Sequence, residues 1–531
     1  MSKIQSVMSK DFSRNEKPRV PRSTFDRSHG LKTTFDAGDL IPIYVDEALP
    51  ADTFNAKLTA FARLATPVAP FMDNLYLDSF FFSVPIRLIW DNWQKFNGEQ
   101  KNPADSTDYL IPQMVAPSDS GYAVGSLSDY FAIPTGVKSL SHSSLYHRAY
   151  NLIWNEWFRD ENLQDSVVVD LDDGPDDPDD YVLLKRGKRY DYFTSCLPWP
   201  QKGPSVDLPL GSSAPITGLG IHTQGFNDLN IPVYETDGTS SITYPKARLI
   251  GDSALHYYTY VQEDPDNSGY PNIRADLSDA SAATINQLRL AFQIQTMYER
   301  DALGGSRYVE IIRAHFGVNP SDARLQRPEY LGGGTTPINV NPIAQTSSTD
   351  DASPQGNLAA MATASIRNHG FTKTFEEHCI VLGFVCARAD LNYQQGLSRD
   401  FSRRTRFDYY WPSLSNIGEQ AVLNKEIFAQ GTDDDDEPFG YQERYAEYRF
   451  KPSNITGKFR STYAQSLDFW HLAQDFETLP TLSADFIVEN PPLDRVLAVT
   501  DEPQFLYDSY IKLICARPMP RYSTPAHLGK F

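Results

Sequence analysis

The chain has 531 residues, of which 40% are hydrophobic, and its formal net charge is −20 at pH 7. No apolar run reaches the ~18 residues that a membrane-spanning helix needs, and the first twenty residues lack the hydrophobic core of a secretory signal, so neither a membrane protein nor export by signal peptide is predicted. The four cysteines are too few and too scattered for a disulfide framework, which favours a reducing cytoplasm.

Basic residues are concentrated at the two ends of this acidic chain. Residues 1–35 hold eight Lys or Arg against three acids, and residues 517–531 hold three basic side chains and no acidic one. An acidic body with basic ends is typical of a protein whose termini contact nucleic acid. Two disordered tails without a partner are the alternative.

The first part of the chain predicts strands followed by helices. The segments 40–50, 53–64 and 75–84 are rich in β-branched and aromatic residues, as strands are. The segment PIRLIWDNWQKFNG (85–98) has a proline suited to a first helical turn and a glycine at its end, which predicts a helix. In SLYHRAYNLIWNEWFRDENL (144–163), an apolar stripe predicts a second helix whose tryptophans pack beneath a sheet or against another subunit.

Two acidic runs, DLDDGPDDPDD (170–180) and DDDDE (433–437), could suggest a calcium site. The EF-hand pattern needs acids at alternate positions before its glycine, and Val169 occupies one of them. Both runs are therefore predicted to be solvated acidic loops.

The middle of the chain changes character. From Leu210 to Asp279 it is rich in Gly, Ser, Asn, Asp and Pro, which predicts a surface excursion. Helical periodicity returns in 283–305, which ends in two glycines, and in RYVEIIRAHFG (307–317).

The last third predicts strands again. The segment 377–391 is a nearly continuous apolar run, as in a buried strand, and ADFIVEN (484–490) and DRVLAV (494–499) are also interpreted as strands. In 504–518 apolar residues alternate onto one face. Strands at both ends with helices and excursions between them predict a single β-sandwich closed by its first and last strands.

Sequence motifs for catalysis or for a cofactor are missing. LGGGTTPINVNP (331–342) has Thr335 where a phosphate-binding loop needs lysine, so its glycines are interpreted as backbone turns. The cysteines form no CxxC pair, and no GxSxG elbow occurs. No enzyme activity, metal or cofactor is predicted.

One segment, SRDFSRRTRFDYYWP (398–412), concentrates four arginines and five aromatic residues. Either it contacts a polyanion by phosphate pairing and base stacking, or it forms a subunit interface, where Arg and aromatic residues are enriched. The interface is the preferred interpretation, because acids lie close to several of the arginines.

Several long phrases together resemble one known family. SCLPWPQKGPSVDLPLG (195–211), RYVEIIRAHFGV (307–318), ARLQRPEYLGGG (323–334), FGYQERYAEYR (439–449) and CARPMP (515–520) are similar to the major capsid protein of microviruses, in particular of the gokushovirus branch. The similarity covers nearly the full chain and weakens between 210 and 279.

The resemblance implies a mainly β fold, an eight-stranded antiparallel jelly roll with long inter-strand insertions containing helices. It implies a homo-oligomer in which pentamers build a T=1 shell of sixty copies around a circular single-stranded DNA genome. Its implied partners are a scaffolding protein, a small basic DNA-binding viral protein and a host surface receptor, with no membrane. The protein would be assembled in the host bacterial cytoplasm and reside in the virion.

The resemblance also assigns roles along the chain. It implies an interior-facing basic arm (1–35), two parts of the jelly roll (36–209 and 280–516), a variable threefold projection for host attachment (Leu210 to Asp279) and a basic tail (517–531). The side chains predicted to contact DNA inside the shell are Lys3, Lys10, Arg14, Lys17, Arg19, Arg22 and Arg27. Those predicted at the subunit interface, with a DNA contact as the lesser possibility, are Arg399, Arg403, Arg404, Arg406, Tyr409, Tyr410 and Trp411.

Two other classes of protein remain open at this point. A secreted β-sandwich that binds or cleaves polysaccharide would line a groove with its aromatic residues, but the basic arm and the missing export signal count against it. A dedicated receptor-binding spike would not need basic termini.

Overall fold

The computed structural model describes residues 21–203, 285–305, 307–318, 326–349, 354–415 and 418–522, and between 204 and 284 only short strands. The described residues divide into two compact units. The first runs up to Pro200 and resumes at Gly304, and the second is Gln201–Leu303.

The first unit is built on one antiparallel sheet of nine strands, in the order β1-β9-β4-β7-β6-β5-β8-β3, with β2 also paired to β9. Its strands are β1 (Ser23–Asp26), β2 (His29–Phe35), β3 (Ile41–Ala48), β4 (Thr53–Leu64), β5 (Leu75–Pro85), β6 (Glu329–Ala344), β7 (Leu358–Thr374), β8 (Cys379–Ala389) and β9 (Phe505–Arg517).

The sheet curls around its own core because β6 belongs to two halves. The first part of β6 pairs with β5, up to Ile338, and the rest pairs with β7 from Asn339. The core contains inward-facing side chains of β9, β4 and β7 on one side and of β5, β8 and β3 on the other. A mainly β fold with a sandwich-like core is thus confirmed, and the exact eight-stranded jelly roll stays a prediction.

Alternating strands obey the predicted pattern. In β4 the residues from Phe54 to Leu64 alternate between buried and exposed positions, and in β9 the predicted inward residues Phe505, Tyr507, Ile511 and Leu513 are buried. By contrast, every residue of β8 is buried, because this strand is covered on both faces.

The second face of β5 and β8 is covered by helix α3 (Leu145–Trp157). Phe82 and Phe384 of the sheet and Tyr150 and Ile153 of the helix belong to one buried cluster. The predicted packing of the tryptophans under a sheet is confirmed, since the Trp157 ring lies 5.4 Å from that of Phe82.

The remaining helices of the described residues are α1 (Trp93–Phe96), α2 (Leu127–Tyr130), α4 (Ile285–Leu303), α5 (Tyr308–Phe316), α6 (Asn424–Ile427) and α7 (Ala484–Ile487). Both α4 and α5 confirm the predicted helices. Short strand pairs join Gln113–Val115 to Ser141–Ser143 and Glu419–Leu423 to Pro438–Glu443.

Three predictions of individual helices or strands were wrong. The segment 85–98 forms only a 3-10 turn (Ile86–Leu88) and α1, because the backbone N–H of Asp91 bonds to Leu171 instead of continuing a helix. The segment 484–490 contains α7, and 494–499 begins in a 3-10 turn (Leu493–Arg495).

The glycine segment 331–342 and the acidic run 170–180 also differ from expectation. The glycines lie within strand β6 and not in a turn. In the acidic run, Asp176 is buried and forms an ion pair with Arg148 of α3, with 2.5 Å between Nη2 and Oδ1. The neighbouring acids of this run, such as Asp172, are exposed as predicted.

Most of the predicted excursion 210–279 lies outside the described residues. Within the second unit the described strands form one small three-stranded antiparallel sheet and three antiparallel pairs. They are Ile216–Thr217, Ile221–His222, Val233–Tyr234, Ser241–Ile242, Ala247–Gly251, Tyr257–Val261, Glu263–Asp264, Asn267–Pro271 and Arg274–Ala275.

Candidate subunit-contact surface

The arginine-rich segment 398–412 lies above a third buried cluster of the first unit. Tyr192, Tyr393, Phe439 and Ala446 belong to this cluster. The segment itself consists of three successive 3-10 turns, Arg399–Phe401, Arg406–Asp408 and Pro412–Leu414.

Arg399 attaches the beginning of the segment to this cluster. Its Nη1 lies 2.9 Å from Oε1 of Glu426 and donates to the carbonyl of Ala421 at 2.7 Å. The Glu426 side chain is only 2% exposed, and it also accepts a hydrogen bond from the Tyr192 hydroxyl at 2.8 Å. Burial raises the pKa of the Glu426 carboxyl although the Arg399 charge opposes that rise. A half-buried ion pair of this kind holds the chain in one position.

Arg403 attaches the middle of the segment. Its guanidinium lies between two tyrosine rings, 5.1 Å from the centroid of Tyr409 and 4.6 Å from that of Tyr448, a cation–π arrangement. Its Nη2 is 2.9 Å from Oδ1 of Asp400. The predicted interface residues Arg399 and Arg403 therefore contact their own chain.

Local hydrogen bonds fix the second half of the segment. The Asp408 carboxylate accepts from the backbone N–H groups of Arg404 and Thr405, and these bonds lower its pKa. The indole N–H of Trp411 donates to the carbonyl of Arg406 at 2.8 Å. The segment is therefore ordered before any partner arrives.

What remains on the surface is a dense group of rings and two arginines. Phe401 is 81% exposed, and the side chains of the other members are also exposed. We call this group the aromatic patch, and its members are Phe401, Arg404, Arg406, Phe407, Tyr409, Tyr410, Trp411 and Tyr448. Large exposed apolar surfaces on a folded protein mark sites of association.

Sequence reasoning missed Tyr448 as a member of the aromatic patch. Its ring lies 6.3 Å from that of Tyr410, and its hydroxyl accepts from the Tyr410 backbone N–H at 3.4 Å. The signal was present in FGYQERYAEYRF (439–450), which repeats the combination of aromatic and charged residues found in 398–412.

Of the predicted DNA-contacting residues, only Arg22 and Arg27 lie among the described residues. Arg27 forms an ion pair with Asp46, with 2.6 Å between Nη1 and Oδ2, and Arg22 donates to the Thr53 hydroxyl. Lys3, Lys10, Arg14, Lys17 and Arg19 lie outside the described residues.

The two basic ends of the chain leave the sheet at one corner. Strand β1 pairs with β9 so that Ser23 lies opposite Arg517. Arg517 is fixed there by Asp52, with 2.8 Å between Nε and Oδ2. The last part of the predicted basic arm thus forms β1 and β2 within the sheet, and the chain enters β1 beside the start of the basic tail.

Within the described residues, no group of three or more His, Cys, Asp or Glu side chains is placed to hold a metal ion. The four cysteines are buried, and burial raises the pKa of the Cys379 and Cys386 thiols to about 12. Such thiols are poor nucleophiles at neutral pH. No helix in the described ranges combines the length and apolarity needed to cross a bilayer.

A curled antiparallel sheet with a rigid, exposed aromatic surface defines a structural protein made for association with other subunits. Comparison of the sequence with known protein families identifies the family to which this structural protein belongs. The family described as Capsid protein (F protein) matches residues 13–527, so the chain belongs to this family of phage capsid proteins.

Individual relatives agree over nearly their whole length. The chain is 51% identical to the capsid protein VP1 of Bdellovibrio phage phiMH2K over 96% of each chain. It is 45% identical to VP1 of Chlamydia phage 1 over 98% of each, and 38% identical to VP1 of Spiroplasma virus 4 over 99% of this chain and 98% of the relative. The chain is thus a structural capsid protein of a microvirus virion and not an enzyme.

Proposed function

We propose that sixty copies of this capsid protein, arranged as pentamers, form a T=1 icosahedral shell around a circular single-stranded DNA genome. The observation that carries the proposal is the aromatic patch. Its rings are held in place by their own chain and still face solvent, so no folding requirement of the subunit explains their exposure. Repeated burial of such a surface by symmetry gives a closed assembly its stability.

Within the segment 398–412, the four arginines differ in what they contact, and this difference supports two separate roles. Arg399 and Arg403 bind acids and rings of their own chain, whereas the side chains of Arg404 and Arg406 are exposed. We assign the contact with the neighbouring subunit to Arg404, Arg406 and the exposed rings. A DNA contact by the same groups is the second candidate.

Electron microscopy of the purified protein tests this assignment. Wild type should give particles of uniform diameter, and Phe401→Ser combined with Arg404→Gln should leave folded subunits that assemble poorly, because a ring and a charge are lost from each contact. The matched control is Val124→Ser, at an exposed apolar residue outside the patch. If the double variant forms normal shells that contain less DNA, the aromatic patch binds the genome instead. If the wild type stays a monomer, the proposal is rejected and a polysaccharide-binding β-sandwich is favoured.

The basic arm (1–35) and the tail (517–531) are assigned to the shell interior. The pairing of Ser23 with Arg517 supports a common destination for both, since the two ends are joined to the sheet at the same corner. Contacts with phosphate would be independent of base sequence and weaken with salt. A small basic viral protein would share the neutralisation of the genome, and a scaffolding protein would act during assembly.

The excursion from Leu210 to Asp279 is assigned to host attachment as a projection at the threefold axes. The separation of Gln201–Leu303 as a compact unit supports an element that can vary without disturbing the sheet. Replacing 210–279 with a short Gly/Ser linker should leave assembled particles that no longer adsorb to host cells, measured by particle yield and adsorption. Unchanged adsorption would place the receptor contact elsewhere.

A further inference from the structure

One face of the main sheet is open to solvent. In β9, β4 and β7 the inward residues form the core, while the alternate residues are exposed along the full length of β4. This differs from β5 and β8, whose second face is covered by α3. We call the exposed residues of β9, β4 and β7, with those of β1 and β2 beside them, the open sheet face.

The open sheet face is basic, unlike the chain as a whole with its net charge of −20. Its acidic residues are Asp26 and Asp508, and Asp508 already pairs with Lys32 at 3.4 Å. Its basic residues are Lys32, Lys57, Arg63, Arg367 and Lys512. The last four of these form no salt bridge within the part of the chain that the structure describes.

Two of the lysines lie directly opposite each other. The register of β9 and β4 pairs Lys512 with Lys57. Like charges at directly opposed positions of an antiparallel pair are destabilising. The Lys512 charge is partly balanced by Asp26, whose pKa is lowered by hydrogen bonds from Ser28 and also by this lysine. An anion bound between the two ammonium groups would reduce their mutual repulsion.

Two aromatic rings stand beside these charges. Phe61 and Tyr510 are 52% and 53% exposed. Phe61 lies opposite Asp508, so Tyr510 is its diagonal neighbour on the same face, within reach for large side chains. An open groove of about 680 Å³ adjoins Phe61, and its charged lining residues are Lys32, Arg63, Asp129 and Asp508.

We propose that the open sheet face binds the single-stranded DNA genome, with unpaired bases stacked on Phe61 and Tyr510 and phosphates held by Lys57, Arg63 and Lys512. Exposed rings between basic side chains on a sheet are the arrangement that binds single strands without sequence preference. The face also ends at the corner where the two basic termini begin. The inference rests on the proposed role as a shell around DNA, and it adds a second genome contact to the arm.

Binding of labelled oligo(dT) and of a duplex of equal length to the full-length protein tests the proposal, by fluorescence anisotropy at several salt concentrations. Lys57→Gln with Lys512→Gln should weaken single-strand binding and flatten the slope of log K against log salt by about 0.7 per lysine. Phe61→Leu with Tyr510→Leu should weaken single-strand binding about tenfold or more and leave duplex binding and the salt slope unchanged. Lys101→Gln with Lys138→Gln is the control, which makes the same charge change at exposed lysines elsewhere.

The outcomes separate this inference from the proposed function. One outcome is that the wild type forms particles with DNA while Phe61→Leu with Tyr510→Leu binds oligo(dT) as tightly as wild type. The proposed base stacking on the open sheet face is then rejected, and the proposed shell around DNA is kept. If the face variants bind DNA normally but fail to assemble, the occupant of the face is another protein chain and the inference is overturned. A wild type that forms no particles removes the shell and, with it, the basis of the inference.

Discussion

At the scale of single residues, a buried ion pair joins Arg148 to Asp176 of the acidic loop 170–180. Arg148 is fully buried, and its Nε donates to Oδ2 of Asp176 at 2.7 Å. Its Nη1 donates to the carbonyls of Ile89 and Asp172. The pair connects α3 to the loop 170–180. The many other acids of this loop are the reason why the sequence predicts that the whole loop is solvated.

The pair should be essential for subunit stability. Asp176→Asn removes the buried counter-ion of Arg148 and leaves only the exposed Asp172 carboxylate, 3.4 Å from Nη2, which should lower the free energy of unfolding by about 3–5 kcal/mol. Urea unfolding of the purified subunit measures this. Asp179→Asn, an exposed position of the same loop, should change stability little. Similar stability of both variants would show that the loop can relax to hydrate Arg148.

The same pair predicts a pH dependence. Burial by itself raises the pKa of Asp176, but hydrogen bonds from Arg148 and its charge lower it below the ordinary value. A carboxyl with a lowered folded-state pKa contributes stability above its unfolded pKa of about 3.9, and this contribution is lost as the pH falls through the folded pKa. Wild type should therefore lose more stability than Asp176→Asn between about pH 5 and pH 2.

At the scale of elements, β6 is the strand that turns two half-sheets into one. It contains three successive glycines, and a Cβ on Gly333 would lie 2.0 Å from the Ser79 carbonyl oxygen of β5. A Cβ on Gly332 would lie 2.5 Å from the Gly370 carbonyl oxygen. The glycines therefore permit close approach of neighbouring backbones where the sheet curls.

Gly333→Ala should lower the free energy of unfolding by at least about 1–3 kcal/mol, since one of two backbones must shift. Thermal unfolding and the yield of soluble subunit are the measurements. Gly30→Ala in β2 serves for comparison, because its new Cβ would meet its nearest atom, the Ser509 carbonyl oxygen, only at 3.3 Å. Equal effects at both positions would mean that the curl tolerates a side chain.

Elements whose apolar residues repeat at a regular spacing could be predicted from the sequence. Elements that depend on contacts with distant parts of the chain could not. The alternation in β4 and β9 follows from burial on one face, so both strands were foreseen. The β6 glycines are typical of turns when read locally, and only pairing with β5 makes them a strand. Helix α7 was missed although Ser483 caps it by accepting from the Phe486 N–H at 3.4 Å.

The sequence predicted the segment that forms the candidate site. It did not predict which of its residues contact their own chain and which are exposed. Four arginines and five rings within 398–412 indicate association, whatever the fold. That Arg399 serves its own chain depends on Glu426, which is near only after folding. The open sheet face depends on the register of β4 with β9, strands more than four hundred residues apart, and so leaves no local pattern.

At the scale of the whole molecule, the basic residues near the start of the chain should determine how much DNA the proposed shell contains. Replacing Lys3, Lys10, Arg14, Lys17 and Arg19 with Gln should lower the DNA content per particle more than the number of particles, because the proposed interior arm would neutralise phosphate. Arg27 is kept, since its loss would leave Asp46 unpaired. Particle counts by electron microscopy and the ratio of absorbance at 260 and 280 nm measure the two effects, and an equal fall in both would reject the interior arm.

Strand β9 lies between β4 and the first two strands, so a strand that is synthesised long after its neighbours fills the middle of one half-sheet. Until Phe505–Arg517 leaves the ribosome, β1 and β2 lack the neighbour with which they pair. A prematurely terminated polypeptide would expose the edge of β4 and could not complete its core. A polypeptide truncated before Phe505 should therefore fail to fold, and such a copy would not be available for assembly.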